Sequence, residues 1–181
     1  MYGIVNKGME ELVVKDFGQE VWQRILVKAG YGECFFISNE SYGDEVTFIL
    51  AATASEELNI PLPDLLFSFG EFWVLETGKK KYGPIIEAGG VDIKDFFMNL
   101  PSLHSRISLI FPKLQPPEFI VTDVIENGIH LHYYSTRTGL KDFVAGLISG
   151  IGKLYGKETK VRLLSCREEG ADHEIFDISW D

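Results

Sequence analysis

Apolar residues recur every three or four positions along most of the chain before residue 112. The segments with this spacing are residues 3–18, 19–30, 44–59 and 62–76. Side chains three and four positions apart lie on one face of a helix, so the pattern predicts four amphipathic helices. Gly18 and Gly30 are predicted to end the first two, because glycine readily adopts the conformation that closes a helix.

Shorter segments complete this region. Residues 32–38 fit either a short strand or a loop. Residues 77–83 contain three consecutive lysines and are predicted to form a solvated basic loop. Residues 92–100 and 101–112 are predicted as two short helices, because Pro101 favours the first turn of a new helix.

The apolar spacing changes to every second position in residues 119–137. This alternation surrounds the pair Asn127 and Gly128, which favours a tight hairpin turn, and it therefore predicts two antiparallel strands. A glycine-rich helix is predicted for residues 139–156. Two closing strands are predicted for residues 160–169 and 173–180.

Together these elements predict a single domain with an α+β fold. A helical N-terminal lobe of about residues 1–60 would pack on a lobe of about residues 61–181, which contains the antiparallel sheet and further helices. Gly146, Gly150 and Gly152 lie inside the last predicted helix, where glycine costs ~1 kcal/mol relative to alanine. We expect them to allow another surface to approach the backbone closely; a loosely formed helix is the alternative.

Composition and charge restrict the partners. The formal net charge is −10 at pH 7, which argues against nucleic acid because phosphate binding needs a basic surface. No apolar run is long enough to span a membrane, and the first residues lack the features of a signal peptide. Two isolated cysteines, Cys34 and Cys166, fit a reducing compartment, so we expect a cytoplasmic protein with structural thiols.

Three polar side chains at alternate positions are the first candidates for chemistry. Tyr133, Ser135 and Arg137 would share one face of the second hairpin strand, which places two hydroxyls beside one guanidinium. Such a set suits an anion, and arginine can bind a carboxylate through two hydrogen bonds. An ordinary solvated strand face would show the same pattern. The opposite face would carry His130, His132 and Tyr134.

His104 is the second candidate. Leu100, Ile107 and Phe111 flank it at helical spacing, which places its imidazole on the apolar face of its helix. A neutral imidazole in apolar surroundings can coordinate a metal, whereas a core histidine satisfied by a backbone carbonyl is the alternative. One ligand would use His104, the anion-binding residues and the apolar, glycine-rich helix together: haem, with its iron, flat ring and two propionates.

The sequence resembles the haem–nitric oxide/oxygen binding (H-NOX) domains, which include bacterial gas sensors and the haem domain of soluble guanylate cyclase. The resemblance covers essentially the whole chain. It rests on the segments MYGIVNKGMEELV, FGEFWV, LPSLHSRI, PPEF, LHYYSTRTGL and REEGADHEIF. It implies one haem b (iron protoporphyrin IX), bound non-covalently because the chain has no Cys-x-x-Cys-His attachment motif.

By this resemblance, His104 is the proximal iron ligand, and Tyr133, Ser135 and Arg137 hold the haem propionates. Pro117 matches the family's proline that presses on the haem and distorts it. The resemblance places further apolar and aromatic residues around the haem. These are Met1, Val5, Trp73, Leu100, Leu103, Phe143 and Leu147.

Phe143 stands where some members of the family carry a tyrosine that holds bound oxygen. A phenyl ring donates no hydrogen bond, so the resemblance implies a sensor that binds nitric oxide and also CO. Trp73 keeps an indole N–H as a weaker donor, and an oxygen-binding or redox-sensing haem protein of the same fold is therefore the first alternative. A haem-free module that binds a partner helix is the second.

No Ser-His-Asp order, phosphate loop or paired-carboxylate motif stands out as an active site, so we expect a sensor and not an enzyme. Because the last predicted strand ends close to Asp181, the expectation is a stand-alone protein that signals in trans. The resemblance implies a histidine kinase or a cyclic-di-GMP enzyme as the partner. His130 and His132 are spaced like a metal-binding pair without a third ligand, and His173 is expected to form a hydrogen bond within a turn.

Overall fold

The structure is a computed structural model that describes residues 1–111 and 113–181. The helices are α1 (Gly3–Phe17), α2 (Gln19–Lys28), α3 (Asp44–Leu58), α4 (Leu62–Phe72), α5 (Lys79–Glu87), α6 (Ile93–Ile110) and α7 (Lys141–Leu154). The strands are β1 (Glu118–Ile125), β2 (Gly128–Tyr134), β3 (Thr159–Ser165) and β4 (Glu174–Trp180). The predicted α+β class is therefore confirmed.

The strands form one antiparallel sheet in the order β1-β2-β4-β3 within the described ranges. The predicted hairpin is present, because Glu118 of β1 pairs with Tyr134 of β2 and the pairing continues to Ile125 and Gly128. A 3-10 turn, Arg167–Glu169, lies between β3 and β4, so the first closing strand ends earlier than predicted. No helix in the described part of the chain combines the length and apolar character needed to cross a bilayer.

The basic loop predicted at residues 77–83 is wrong. A π-helical turn, Trp73–Gly78, continues α4 without a break, and the three lysines form the first turn of α5. Lysine is a good helix former, and its charge can remain in water while the backbone stays helical. Tyr82 alone departs from helical geometry, with φ −129° and ψ 19°, and it produces a kink near Pro84.

The division of this region into two helices at Pro101 is also wrong, because α6 runs continuously through Pro101. Pro112, the last residue of the second predicted helix, lies outside the described residues. Proline removes one intrahelical hydrogen bond, but the apolar face continues on both sides of it. Leu100 and Leu103 are both buried, so their packing holds the two halves in one helix. The continuous helix places His104 one turn after Leu100.

Buried apolar residues form two main clusters. One joins α1, α2, α3 and α4, and it includes the fully buried Trp22. The other joins α6, α7 and the sheet, and it includes the fully buried Phe97. Trp73 packs against both clusters and against a smaller third one that contains Phe111. A predicted site residue therefore lies where the clusters meet.

Helices α4 and α7 contact each other backbone to backbone. A Cβ atom added at Gly146 would lie 2.0 Å from the carbonyl oxygen of Phe67, and one added at Gly70 would lie 2.2 Å from that of Phe143. No side chain fits in either space. The close approach expected at Gly146 is therefore present, and it sets the position of α7.

Candidate functional site

The structure contains a cavity of about 340 Å³ with mainly apolar walls. All the residues that the sequence analysis placed around a ligand line this cavity. They are Met1, Val5, Trp73, Leu100, Leu103, His104, Pro117, Tyr133, Ser135, Arg137, Phe143 and Leu147. Side chains from α1, α6, α7 and the end of β2 therefore meet at one place, although they are far apart in the sequence.

His104 occupies the wall that α6 contributes. Its Nδ1 lies 3.0 Å from the carbonyl oxygen of Leu100, and a carbonyl can only accept, so Nδ1 carries the proton. Burial lowers the pKa of His104 below its ordinary value, and the hydrogen bond to Leu100 only partly opposes this. The ring is therefore neutral near pH 7, with a free lone pair on Nε2 that can coordinate a metal.

The polar end of the cavity lies where β2 ends. Tyr133 is buried inside the strand, but β2 ends at Tyr134, so Ser135 and Arg137 belong to the loop that follows. The prediction that strand alternation aligns all three side chains is therefore wrong for Ser135 and Arg137. The loop turns instead, because the Arg137 backbone N–H donates to Ser135 Oγ at 3.1 Å, and all three residues still line the cavity.

The Tyr133 hydroxyl remains a hydrogen-bond donor. Burial raises the pKa of Tyr133 above its ordinary value, while a hydrogen bond with Ser135 acts in the opposite direction. A phenol in this state is fully protonated near pH 7. It can therefore donate to an anion at this end of the cavity.

Asp44 is a functional candidate that the sequence analysis missed. Its Oδ2 accepts a hydrogen bond from Arg137 Nε at 2.8 Å, and its Oδ1 accepts one from the amino group of Met1 at 2.6 Å. Burial alone would raise the pKa of Asp44, but these two hydrogen bonds outweigh it and lower the pKa. Arg137 Nη1 also donates to the Gln115 carbonyl at 2.9 Å.

Tyr82 also lines the cavity, in the segment that was predicted as a basic loop. Its ring lies 6.0 Å from that of Phe111, in an edge-to-face arrangement, and burial raises the pKa of its hydroxyl. Helical spacing continued from α4 would not have placed it, because the π-helical turn changes the period and Tyr82 itself departs from helical geometry. No local signal pointed to Asp44, which lies 93 positions from Arg137.

The histidines of β2 lie on the opposite face of the sheet. His130 Nδ1 is 2.9 Å from Asp123 Oδ2, and His132 Nδ1 is 2.8 Å from His173 Nε2. His173 therefore pairs with another histidine and also stacks on Tyr134, in contrast to the predicted turn hydrogen bond. Among the described residues, no group of three or more metal-binding side chains is found.

The chemistry of the cavity fits haem. Apolar walls suit the macrocycle, and the neutral His104 offers one nitrogen to iron. The guanidinium of Arg137 and the hydroxyls of Tyr133 and Ser135 suit the propionates at one end. The residues present therefore supply each kind of contact that a haem-binding protein provides.

Known proteins are similar to this chain over nearly all its length. The Haem-NO-binding family model matches residues 2–163. Soluble guanylate cyclase gcy-35 of Caenorhabditis elegans is 25% identical over an alignment that covers 99% of this chain and 27% of that protein. For gcy-37 of the same organism the identity is 28%, with 100% and 27% covered. The chain thus spans about a quarter of the length of these curated relatives.

Solved structures share the fold. The crystal structure of an H-NOX protein from S. oneidensis in the Fe(II)NO ligation state has a TM-score of 0.91 at 23% identity, covering 100% of this chain and 99% of that one. The Fe(II) unliganded H-NOX protein from K. algicida has a TM-score of 0.86 at 21% identity, covering 100% and 97%. The arrangement of helices and sheet is therefore that of the H-NOX fold.

Proposed function

The chain belongs to the haem–NO-binding (H-NOX) family of haem-binding gas-sensor domains, and from this premise we propose that it senses nitric oxide at ferrous haem b and regulates a partner signalling protein in trans. The observation that carries the proposal is the apolar cavity that a neutral His104 shares with Tyr133, Ser135 and Arg137. When bound, haem supplies an iron that binds a diatomic gas.

Each side chain has a defined task in this proposal. His104 binds the iron through Nε2, and the Leu100 carbonyl holds the ring in the required tautomer. Arg137, Tyr133 and Ser135 bind the propionates, with Arg137 supplying the positive charge. The apolar residues that line the cavity exclude water from the macrocycle.

Phe143 supports a preference for nitric oxide over oxygen. It lines the cavity from α7 and packs 5.0 Å from the ring of Phe69, so this part of the wall donates no hydrogen bond. Bound oxygen carries partial negative charge and needs a donor more than NO does. An H-NOX protein from S. oneidensis was solved in the Fe(II)NO ligation state, and an H-NOX domain from Shewanella oneidensis was solved in the Fe(II)CO ligation state. We propose that this chain binds the same two gases.

The partner is proposed to be a histidine kinase or a cyclic-di-GMP enzyme, as the family resemblance implies. Phe111, which follows α6, packs 4.8 Å from the ring of Tyr2 just before α1, so a movement of α6 would reach the N-terminal helices. In this proposal the helical lobe of about residues 1–60 moves relative to the lobe of about residues 61–181. Coupling of this kind usually amounts to ~1–3 kcal/mol, which limits the change in partner affinity.

His104→Gly tests the iron ligand. The variant should lose haem, or bind it only when imidazole is supplied, because glycine leaves a space and no ligand. Absorption spectra of the ferrous protein, with and without imidazole, measure this. His130→Gln, on the other face of the sheet, is the matched control and should keep the wild-type spectrum. An unchanged spectrum of His104→Gly without imidazole would overturn the assignment.

Gas titrations test the sensor itself. The ferrous protein should bind NO and CO and form no stable complex with O₂ in air. A stable oxygen complex would favour an oxygen-binding haem protein in which Trp73 donates the hydrogen bond. A purified protein that takes up no haem would favour a haem-free interaction module. Partner activity is then compared in the unliganded, CO-bound and NO-bound states; equal effects of CO and NO would contradict a NO-specific signal.

A further inference from the structure

The backbone of the loop at residues 135–137 is held by one arginine of the 3-10 turn, which lies at the same end of the sheet. Arg167 Nη1 donates to the Ser135 carbonyl at 2.6 Å, and Arg167 Nη2 donates to the Arg137 carbonyl at 2.6 Å. Arg167 Nε donates to both carboxylate oxygens of Glu174 at 3.0 Å. All three guanidinium nitrogens are therefore used, and two of them hold the loop that carries Ser135 and Arg137.

The ion pair behind these contacts is buried. The Glu174 side chain is 4% exposed and the Arg167 side chain is 18% exposed. A charge at such a position is maintained only when a partner compensates it, and Glu174 compensates Arg167. The planar guanidinium fork can then point its two outer nitrogens at two carbonyls, which a lysine ammonium cannot do in the same geometry.

Glu174 also links the Arg167–Glu174 ion pair to Tyr133, the third of the proposed anion-binding residues. It is the cross-strand partner of Tyr133 in the β2–β4 ladder. On the other side, Glu168 of the 3-10 turn forms an ion pair with Lys141 at the start of α7. The turn that carries Arg167 is thus attached to β2, to α7 and to the loop at residues 135–137.

We propose that Arg167, compensated by Glu174, is a positioning residue for the anion-binding set. By holding the carbonyls of Ser135 and Arg137, it determines where these two side chains enter the cavity. Neither Arg167 nor Glu174 is among the described residues that line the cavity, so the effect passes through the loop. The inference rests on the proposed function for the identity of the ligand, haem, but the loop contacts exist without it.

Arg167→Lys is the first test. Lysine keeps the positive charge beside Glu174, but its ammonium group cannot donate hydrogen bonds to the carboxylate and to both carbonyls in the geometry that the guanidinium provides. Transfer of haem from the ferric protein to an excess of a haem scavenger should become about tenfold faster. This is the effect expected when the charge-assisted contact between Arg137 and a propionate is lost. Arg162→Lys is the matched control, because Arg162 forms an exposed pair with Asp177 at 2.8 Å in the same sheet. The control should stay within about twofold of the wild type.

A double variant separates positioning from general destabilisation. If Arg167 acts through the side chain of Arg137, then Arg167→Lys should change haem transfer by less than about twofold in an Arg137→Ala background. A full tenfold effect in that background would overturn the proposal. If Arg167→Lys does not fold, the charge-neutral pair Arg167→Gln and Glu174→Gln replaces it in the same comparison.

Amide hydrogen exchange gives a readout that needs no haem. In the purified Arg167→Lys protein, exchange at residues 135–137 should be about tenfold faster than in the wild type, with exchange in α1 unchanged. Unchanged exchange in the loop would overturn the positioning role, whatever the protein binds. Failure of the wild-type protein to take up haem would instead overturn the proposed function and leave the loop measurement valid.

Discussion

Gly146→Ala perturbs the closest contact between α4 and α7. The added Cβ would lie 2.0 Å from the Phe67 carbonyl oxygen and 2.8 Å from its carbonyl carbon. Real Cβ atoms essentially never approach closer than 3.0 Å, and here the opposing atoms are backbone, which cannot rotate away. The two helices must therefore separate by about 1 Å or more at this point, so the substitution acts on the packing of the whole interface.

Two effects of opposite sign determine how Gly146→Ala changes the free energy of unfolding. Alanine gains up to ~1 kcal/mol over glycine inside a helix. Overpacking a close interface costs ~1–3 kcal/mol, and a rigid backbone contact belongs at the upper end of that range. The expected net destabilisation is about 2 kcal/mol. With an m-value of ~2 kcal/mol per molar urea, the midpoint should fall by about 1 M.

Urea unfolding followed by far-ultraviolet circular dichroism measures this shift, with the same haem content in every sample because a bound ligand stabilises the folded state. Gly83→Ala in α5 is the matched control, since a Cβ there meets no atom within 4 Å. It should stay within ~1 kcal/mol of the wild type, because the gain of alanine over glycine in a helix is offset where the residue precedes Pro84. If Gly146→Ala unfolds at the same urea concentration as Gly83→Ala, the reasoning from the α4–α7 contact is refuted.

The other predictions concern the cavity. In the haem-transfer assay, Arg137→Ala should weaken haem binding by ~1.5–3 kcal/mol, and Tyr133→Phe should weaken it by less. Tyr134→Phe, on the other face of the sheet, is the control and should have no effect. Equal effects of the two tyrosine changes would contradict the assignment of Tyr133. Phe143→Tyr adds a donor, so the ferrous variant should form a more stable oxygen complex, read from its absorption spectrum in air. Asp44→Asn should lower the free energy of unfolding at pH 7 by about 1 kcal/mol after allowance for solvent screening. The folded pKa of Asp44 lies below its ordinary value of 3.8, so the contribution of the carboxylate to stability is present above pH 3.8 and is lost as the pH falls through the folded pKa. Below the folded pKa, the urea midpoints of Asp44→Asn and the wild type should therefore converge.

The amino-acid sequence by itself determined the elements whose signals are local. Apolar spacing defined the faces of the first four helices, and alternation on both sides of a turn signal defined the hairpin. The turn itself lies at Glu126 and Asn127, one residue earlier than the predicted pair, because Gly128 is the first residue of β2. The same spacing placed His104 on a buried helix face, since Leu100 precedes it by one turn. These predictions succeeded because side-chain direction along one helix or strand depends only on the backbone period.

Local signals failed where packing outweighed them. Pro101 and the lysines at residues 79–81 are signals for interruption, yet the apolar face and the helix continue through both. Ser135 and Arg137 were grouped with Tyr133 by strand alternation, although the strand ends before them and a turn brings them to the cavity. A burial pattern reports that a face is covered, but it does not report what covers it.

Only the tertiary structure decided which distant residues meet. Asp44 reaches Arg137 across 93 positions, and Arg167 reaches the same loop from beyond β3. Gly146 faces the backbone of Phe67 from another helix. Such contacts depend on strand order and helix packing, which are set by the free energy of the whole fold, so no pattern within a segment of the sequence can encode them.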